Sequence, residues 1–211
     1  MPSPSARIVL IPGLGLDARS SARVRERLSA TVVHLPGMGL AKPVPSLDEL
    51  AKLVRNGWGE GPVVVIGHSQ SCQVVALAAL DPRVTEVVLL GPTTDPRLRS
   101  VAGLAGRWLR TALAEPWWQF PLVVAQWWHT GPRAMRTLWR AAARDPIDQR
   151  LRAVRAPVTV VRGTRDRLCD GDWARRLAAA APDGRLVEIP GAAHMLPQTH
   201  PTEIAELIRA L

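Results

Sequence analysis

The sequence predicts an α/β fold: a three-layer, doubly wound sheet of about six parallel strands, with a helical lid inserted after the fourth strand. Short runs of β-branched and other apolar residues are nearly continuous, as expected for strands covered by helices on both faces. These runs alternate with helical patterns through short connections, which favours parallel strands joined by crossover helices. Only one long stretch, residues 95–150, lacks a predicted strand.

The six predicted strands are Arg7–Ile11, Thr31–Leu35, Pro62–Ile66, Thr85–Leu90, Pro157–Val161 and Arg185–Ile189. Helices are predicted between them and after the last one. Ser46 with Glu49 three residues later forms a capping-box pattern at the start of one helix. Pro201 stands at the favoured first position of the final helix. The first strand begins only a few residues into the chain, so we expect no antiparallel N-terminal hairpin.

The stretch 95–150 contains helix-like segments divided by Pro116, Pro121 and Pro132. Because it follows the fourth strand, it leaves the sheet at the carboxyl end, where such folds bind ligands. We therefore expect residues 95–150 to form a lid over that crevice. Residues 1–94 and 151–211 are expected to form the core.

Length and composition restrict the possible functions. A chain of 211 residues with 47% hydrophobic residues suits one globular domain. The net charge is +9, but only Lys42 and Lys52 of the 27 basic residues are lysines, and no nucleic-acid-binding motif accompanies the charge. We expect no nucleic-acid partner. Cys72 and Cys169 are too few for a disulfide framework.

The sequence also predicts no metal and no cofactor. It has no histidine–cysteine cluster with zinc-ligand spacing and no phosphate-binding loop. Its start lacks a signal-peptide pattern, and no apolar run is long enough to cross a bilayer. A cytoplasmic location without stable membrane insertion is the resulting expectation, while the oligomeric state stays open.

The segment "GHSQS", Gly67–Ser71, follows the third predicted strand and precedes a helix. A serine at a sharp strand-to-helix turn, with small residues two positions away on each side, is typical of a nucleophile elbow. Gly67 satisfies this requirement fully, and Ser71 less well. The pattern predicts Ser69 as the nucleophile, because Ser71 would already lie within the helix. The alternative role for Ser69 is a helix cap in a loop.

A serine nucleophile needs a base, and the base needs an acid to orient it. His194 follows the last strand in a glycine-containing loop and is the best-placed base. The other histidines, His34, His68, His129 and His200, are less well placed. For the acid, Asp166 comes directly after the fifth strand. Asp170 is better placed as a helix N-cap, and Asp95 as a turn residue before a proline.

The oxyanion of an acyl-transfer reaction needs backbone N–H donors. One donor is predicted to be Gln70, directly after the nucleophile, and the other Leu14, in the loop "IPGLGLD" after the first strand. Gly13 and Gly15 would let that loop approach a substrate.

With these residues in place, the chain resembles the α/β-hydrolase fold superfamily, and is most similar to small lid-bearing members that act as esterases or carbon–carbon hydrolases. The resemblance covers nearly the whole chain through the segments "IPGLGLD", "LPGMG", "GHSQS", "GPTTDP", "GTRDRLCD" and "PGAAH". It implies Ser69 as nucleophile, Asp166 as acid and His194 as base, in the family's chain order. It implies Leu14 and Gln70 as oxyanion donors.

Three departures from the family pattern stand out. Ser71 replaces a glycine, Pro12 stands where many members have histidine, and the N-terminal hairpin is missing. The first two could tune the oxyanion hole or abolish activity.

Six of the eight tryptophans fall in the predicted lid: Trp108, Trp117, Trp118, Trp127, Trp128 and Trp139. We expect them to line an apolar acyl pocket. Between Arg97 and Arg144 there are also eight arginines and a single acid, Glu115. These arginines suggest an anionic or carrier-bound substrate. The alternatives are ordinary packing of small helices and transient membrane contact.

Three functions follow. The first is a serine hydrolase that forms an acyl-enzyme on a hydrophobic ester, thioester or lactone. The second uses the same triad for carbon–carbon bond hydrolysis, perhydrolysis or a secondary-metabolite cyclisation. The third is a non-catalytic ligand-binding relative.

Overall fold

A computed structural model describes residues 6–98 and 101–211. The strands are β1 Arg7–Ile11, β2 Thr31–Val32, β3 Leu35–Pro36, β4 Gly39–Leu40, β5 Val63–His68, β6 Val84–Leu90, β7 Val158–Gly163 and β8 Gly184–Ile189. Six of them form one sheet in the order β2-β1-β5-β6-β7-β8, and all its neighbouring pairs are parallel. The predicted fold class and the six-stranded parallel sheet are confirmed.

The second strand is shorter than predicted. β2 ends at Val32, although the N–H of Val33 still donates a hydrogen bond to the carbonyl of Leu10 at 3.0 Å. The chain then leaves the sheet edge and forms the small β3–β4 pair. His34 is turned away from the sheet, where its Nε2 accepts a hydrogen bond from the N–H of Ala18 at 3.0 Å. The apolar run therefore continues past the point where strand pairing stops.

The helices are α1 Ala22–Leu28, α2 Leu47–Gly57, α3 Ser71–Ala78, α4 Val101–Ala112, α5 Phe120–Thr130, α6 Pro132–Ala142, α7 Ile147–Arg150, α8 Gly171–Ala180, α9 Leu196–Thr199 and α10 Pro201–Arg209. They cover both faces of the sheet. Because alternate side chains of a strand point to opposite faces, Val9 and Ile11 of β1 pack in the cluster with α2, α3 and α8, while Leu10 packs with α1 and α10. The predicted capping box of Ser46 and Glu49 starts α2.

Four helices, α4 to α7, lie between β6 and β7, in the predicted insertion. The last of them, α7, packs against the core helices α3 and α8, and its Ile147 belongs to the core cluster. The predicted lid, residues 95–150, therefore includes α7, a segment that packs with the core.

The prediction of a basic set in the insertion and the prediction about the start of the chain both include residues outside the described ranges. Arg99 of the basic set and the first five residues of the chain lie there. Within the ranges 6–98 and 101–211, no helix has the length and apolar character required to span a bilayer.

Candidate active site

Ser69 stands at the turn between β5 and α3 in a left-handed backbone conformation, with φ of 57°. Its N–H donates to the carbonyl of Leu90 at 2.8 Å, which fixes the turn to the neighbouring strand. A Cβ on Gly67 would lie 2.9 Å from Cγ2 of Val75 and 3.1 Å from Cα of Cys72. Only glycine permits this approach of the helix to the strand. The local geometry is the sharp, strained strand-to-helix turn that a nucleophile elbow requires.

Ser71, the departure from the family pattern, is fully buried. Its hydroxyl accepts a hydrogen bond from the N–H of His68 at 2.7 Å. The same hydroxyl lies 2.8 Å from the carbonyl of Ile11 and 2.9 Å from the carbonyl of His68, and can donate to either. The side chain therefore ties the elbow to the end of β1, and it is not free to act as a nucleophile.

Ser69, His194 and Asp166 form a continuous hydrogen-bonded series. Nε2 of His194 lies 2.9 Å from Oγ of Ser69, and Nδ1 lies 2.7 Å from Oδ2 of Asp166. The other oxygen of the buried Asp166 accepts from the N–H groups of Leu168 at 2.8 Å and Cys169 at 3.2 Å. Burial lowers the pKa of His194, but the charge of Asp166 and its hydrogen bond outweigh burial, so the pKa is raised above its ordinary value.

The two alternative acids are engaged elsewhere. Asp170 caps helix α8 and pairs with Arg97 and Arg107, each at 2.9 Å. Both oxygens of Asp95 share the single Nε–H of Arg97. Neither carboxylate hydrogen-bonds to His194.

The other candidate histidines also have other contacts. His34 supports the loop after β1, as described above. His129 is exposed on α5. Nδ1 of His200, at the start of α10, lies 2.9 Å from the hydroxyl of Thr199.

His68 directly precedes Ser69, and its ring hydrogen-bonds to the backbone of His194. It is buried, and burial followed by the nearby His194 lowers its pKa to about 3. Its Nε2 lies 3.0 Å from the backbone carbonyl of His194. Because a carbonyl only accepts, Nε2 of His68 carries the proton.

Gly91 is a residue that sequence reasoning missed. It follows β6 in the left-handed region, with φ of 55°. A Cβ there would lie 3.1 Å from Nδ1 of His194 and 3.3 Å from Oδ2 of Asp166. Its only sequence signal is its position at a strand end, in the segment "GPTTDP".

A cavity of about 540 Å³ opens above Ser69 and His194. Leu14 and Gln70, the predicted oxyanion donors, both line it. Neither of their backbone N–H groups donates a hydrogen bond to another atom in the described part of the chain. Two donors near the nucleophile are thus available to a ligand.

The six tryptophans of the predicted lid separate into two groups. Trp108, Trp127 and Trp139 line the cavity, but Trp117, Trp118 and Trp128 do not. The prediction that all six line the pocket is therefore wrong. Adjacent residues of a helix point about 100° apart, so Trp127 faces the cavity while Trp128 is 87% exposed. Trp118 instead packs beneath the guanidinium of Arg23, at 5.0 Å.

The charge at the cavity differs from the expected basic mouth. The described lining includes the carboxylates Asp95 and Glu115 but no arginine or lysine. Arg97 and Arg107 belong to the predicted basic set, yet both pair with Asp170.

Among the described residues, no group of three or more histidine, cysteine, aspartate or glutamate side chains is arranged to hold a metal ion. Cys72 and Cys169 are unpaired and buried, and burial raises the pKa of both thiols.

The parallel sheet with a hydrogen-bonded serine, histidine and aspartate at its carboxyl end is typical of alpha/beta hydrolases. Comparison with known proteins leads to the same family. A model of the alpha/beta hydrolase family matches residues 8–207. The chain belongs to the alpha/beta hydrolase family, and the prediction of a hydrolase enzyme is confirmed at that level.

Three relatives illustrate the range of the similarity. Lipase LipV of Mycobacterium tuberculosis is 29% identical over 255 residues, covering 99% of this chain and 94% of the lipase. Polyketide synthase ThaQ of Burkholderia thailandensis is 28% identical over 230 residues, covering 92% of this chain; the match spans only 11% of the synthase. The solved structure of a thermophilic esterase has a TM-score of 0.79 at 21% identity, covering 99% of this chain and 90% of that one.

Proposed function

We propose that this protein is a serine hydrolase that cleaves uncharged, hydrophobic carboxylic esters through a Ser69–His194–Asp166 triad. The observation that supports this most is the pair of hydrogen bonds that joins the three side chains, at 2.9 Å and 2.7 Å. The left-handed conformation of Ser69 supports the same role, because it presents the hydroxyl at the top of the elbow.

The proposed reaction has two halves. Nε2 of His194 takes the hydroxyl proton of Ser69 as Oγ attacks the ester carbonyl. The N–H groups of Leu14 and Gln70 stabilise the oxyanion. The imidazolium returns the proton to the departing alcohol, leaving an acyl-enzyme. Water then attacks the acyl-enzyme, His194 takes the water's proton, and the acid product leaves as Oγ regains a proton.

The cavity supports an uncharged substrate. Tryptophans, Leu16, Phe120 and Val123 supply apolar surface, and the described lining contains no arginine or lysine to pair with an anion. The words "lipase" and "esterase" in the names of similar proteins agree with a hydrophobic ester. An anionic substrate is therefore less well supported than an uncharged one.

An acyl thioester held on a carrier protein is the second candidate. The similarity to a polyketide synthase favours it, and the same triad would cleave either bond. Turnover of short-chain and aryl nitrophenyl esters, compared with acyl thioesters of similar chain length, separates the two. Cleavage of carbon–carbon bonds without ester turnover would favour the other use of the triad.

Labelling with a fluorophosphonate probe tests the proposal directly. The wild-type protein should be labelled, and Ser69→Ala should not, because only an activated serine reacts at a useful rate. Ser71→Ala should keep the label, since Ser69 remains. A folded wild-type protein that neither labels nor hydrolyses any ester of the panel would contradict the proposal.

A further inference from the structure

The peptide unit between His194 and Met195 is held at both of its polar ends by side chains. Nε2–H of His68 donates to the carbonyl oxygen of His194 at 3.0 Å. On the other side of the same peptide bond, Oε1 of Glu115 accepts from the N–H of Met195 at 2.7 Å. The two side chains come from different parts of the fold: His68 ends β5 of the core, and Glu115 lies between α4 and α5 of the lid.

Both residues make a further hydrogen bond, His68 through its backbone and Glu115 through its side chain. The backbone N–H of His68 is bound by the hydroxyl of Ser71. Oε2 of Glu115 accepts from Nε2 of the buried Gln119 at 2.6 Å, so the amide nitrogen of Gln119 must face the carboxylate. Glu115 is also the only acid among the described lid residues of α4 to α6 and their connections. Among these residues, no other carboxylate is therefore present to accept the hydrogen bond from Met195.

We propose that His68 and Glu115 are positioning residues that clamp the His194–Met195 peptide and so fix the imidazole of His194 for proton transfer, with Glu115 making the lid part of the catalytic apparatus. This inference rests on the proposed role of His194 as base. The orientation of one peptide plane sets the direction of the side chain that precedes it. A displacement of about 1 Å in a catalytic group can cost about 100-fold in rate.

The clamp, which consists of Glu115, the His194–Met195 peptide and His68, is also a chain of hydrogen bonds whose members polarise one another. A carboxylate that accepts from one end of an amide increases the polarity of the other end, which here accepts from His68. Three titratable groups face His194: Asp166 from the loop after β7, His68 from β5, and Glu115 from the lid. Two of these, Asp166 and Glu115, carry negative charge and raise the pKa of His194, whereas His68, whose own pKa is lowered to about 3, is neutral above that pH.

Two substitutions at Glu115 separate its charge from its hydrogen bond. Glu115→Gln keeps an acceptor for Met195, and the side-chain oxygen of Gln119, unpaired at present, can turn to accept from the new amide. We expect its kcat/KM at the pH plateau to change less than about threefold, because geometry is preserved. The acidic limb of the pH profile should move to lower pH, because one negative charge beside the imidazolium is gone.

Glu115→Ala removes both charge and hydrogen bond. We expect kcat/KM at the plateau to fall about 10- to 100-fold through kcat, since the base is no longer held in place. Leu113→Ala is the matched control, because Leu113 is exposed two residues earlier on the lid and should leave both the plateau and the pH profile unchanged. Wild-type profiles in both Glu115 variants would overturn the inference while leaving the proposed function intact.

The amide proton of Met195 gives a readout that needs no activity. In wild-type protein its NMR resonance should lie downfield, as expected for a short hydrogen bond to a carboxylate. It should move upfield in Glu115→Ala and stay in place in Leu113→Ala. An unmoved resonance in Glu115→Ala overturns the clamp even if the enzyme is active. A shifted resonance in a protein without hydrolase activity would support the clamp and contradict only the proposed function.

Discussion

At the scale of single residues, Ser71 shows how a departure from a family pattern can be compensated. A glycine there would leave the turn behind Ser69 without a side chain. The serine hydroxyl instead accepts from His68 and can donate to Ile11, and it joins the elbow to the strand that leads into the oxyanion loop. Serine in place of glycine at position 71 thus restricts the backbone and adds hydrogen bonds to the turn.

We therefore predict that Ser71→Gly lowers the free energy of unfolding by about 1–3 kcal/mol, because the buried N–H of His68 loses its partner. Urea unfolding measures this value. Thr137→Val, which removes an exposed hydroxyl on α6, should change the free energy of unfolding far less. Equal unfolding midpoints for wild type and Ser71→Gly would show that these hydrogen bonds contribute nothing.

At the scale of elements, helix α5 connects the helical insertion between β6 and β7 to the loop of the proposed oxyanion hole. Oε1 of the buried Gln126 accepts from the N–H of Asp17 at 2.8 Å. One turn later, the hydroxyl of Thr130 donates to the carbonyl of Gly15 at 3.0 Å. Spacing of four residues places both on one face of the helix, and the same contacts fix which tryptophan faces the cavity.

We predict that Trp127→Ala raises KM for an aryl ester about tenfold, because it removes a large apolar surface from the cavity. Trp128→Ala should leave KM within about twofold of the wild type, because this neighbour points to solvent. Steady-state kinetics on both variants measures the difference. The orientation assigned to α5 would be wrong if the two variants raised KM equally.

At the scale of the whole molecule, the protein contains a histidine that stays neutral when folded. The pKa of His68 is lowered to about 3 by burial, whereas its ordinary value is 6.5. Below pH 6.5 the unfolded chain therefore binds a proton that the folded chain does not. This difference favours unfolding increasingly as pH falls toward 3.

Between pH 7 and pH 5, wild-type protein should lose about 2 kcal/mol more of its unfolding free energy than His68→Gln does. Glutamine can keep the donor to His194 but does not titrate. His129→Gln, at an exposed position on α5, should behave as wild type does. Urea unfolding at the two pH values provides the comparison, and parallel losses in all three proteins would contradict the lowered pKa.

The sequence predicts the strands of the sheet more completely than the contacts of the candidate site. β1 and β5 to β8 were predictable because strands buried on both faces have continuous apolar sequences. β2 lies at the edge of the sheet, and its apolar sequence extends beyond the residues that pair with β1. The strand-end positions of Ser69, His194 and Asp166 were also predictable, and the structure joins these side chains by hydrogen bonds; their catalytic roles stay a prediction. The clamp was not predictable, because its bonds join residues 126 and 80 positions apart that carry no shared motif.

The helical insertion was predictable as a segment but not in its orientation. Its prolines divide the helices, and each new helix starts at a rotation that only packing decides. Trp128 therefore lies outside, 87% exposed, although it is the sequence neighbour of Trp127 in the same helix, and Trp117 in the preceding turn is 81% exposed.

The proposed triad joins distant parts of the chain, and this has a consequence for synthesis. Ser69 and His194 are 125 positions apart, and the base follows the outermost strand, β8. A ribosome that has finished the turn at Ser69 must add the helical insertion, β7 and β8 before the proposed base exists. The proposed ester cleavage is thereby excluded in a nascent chain until the insertion has already been made.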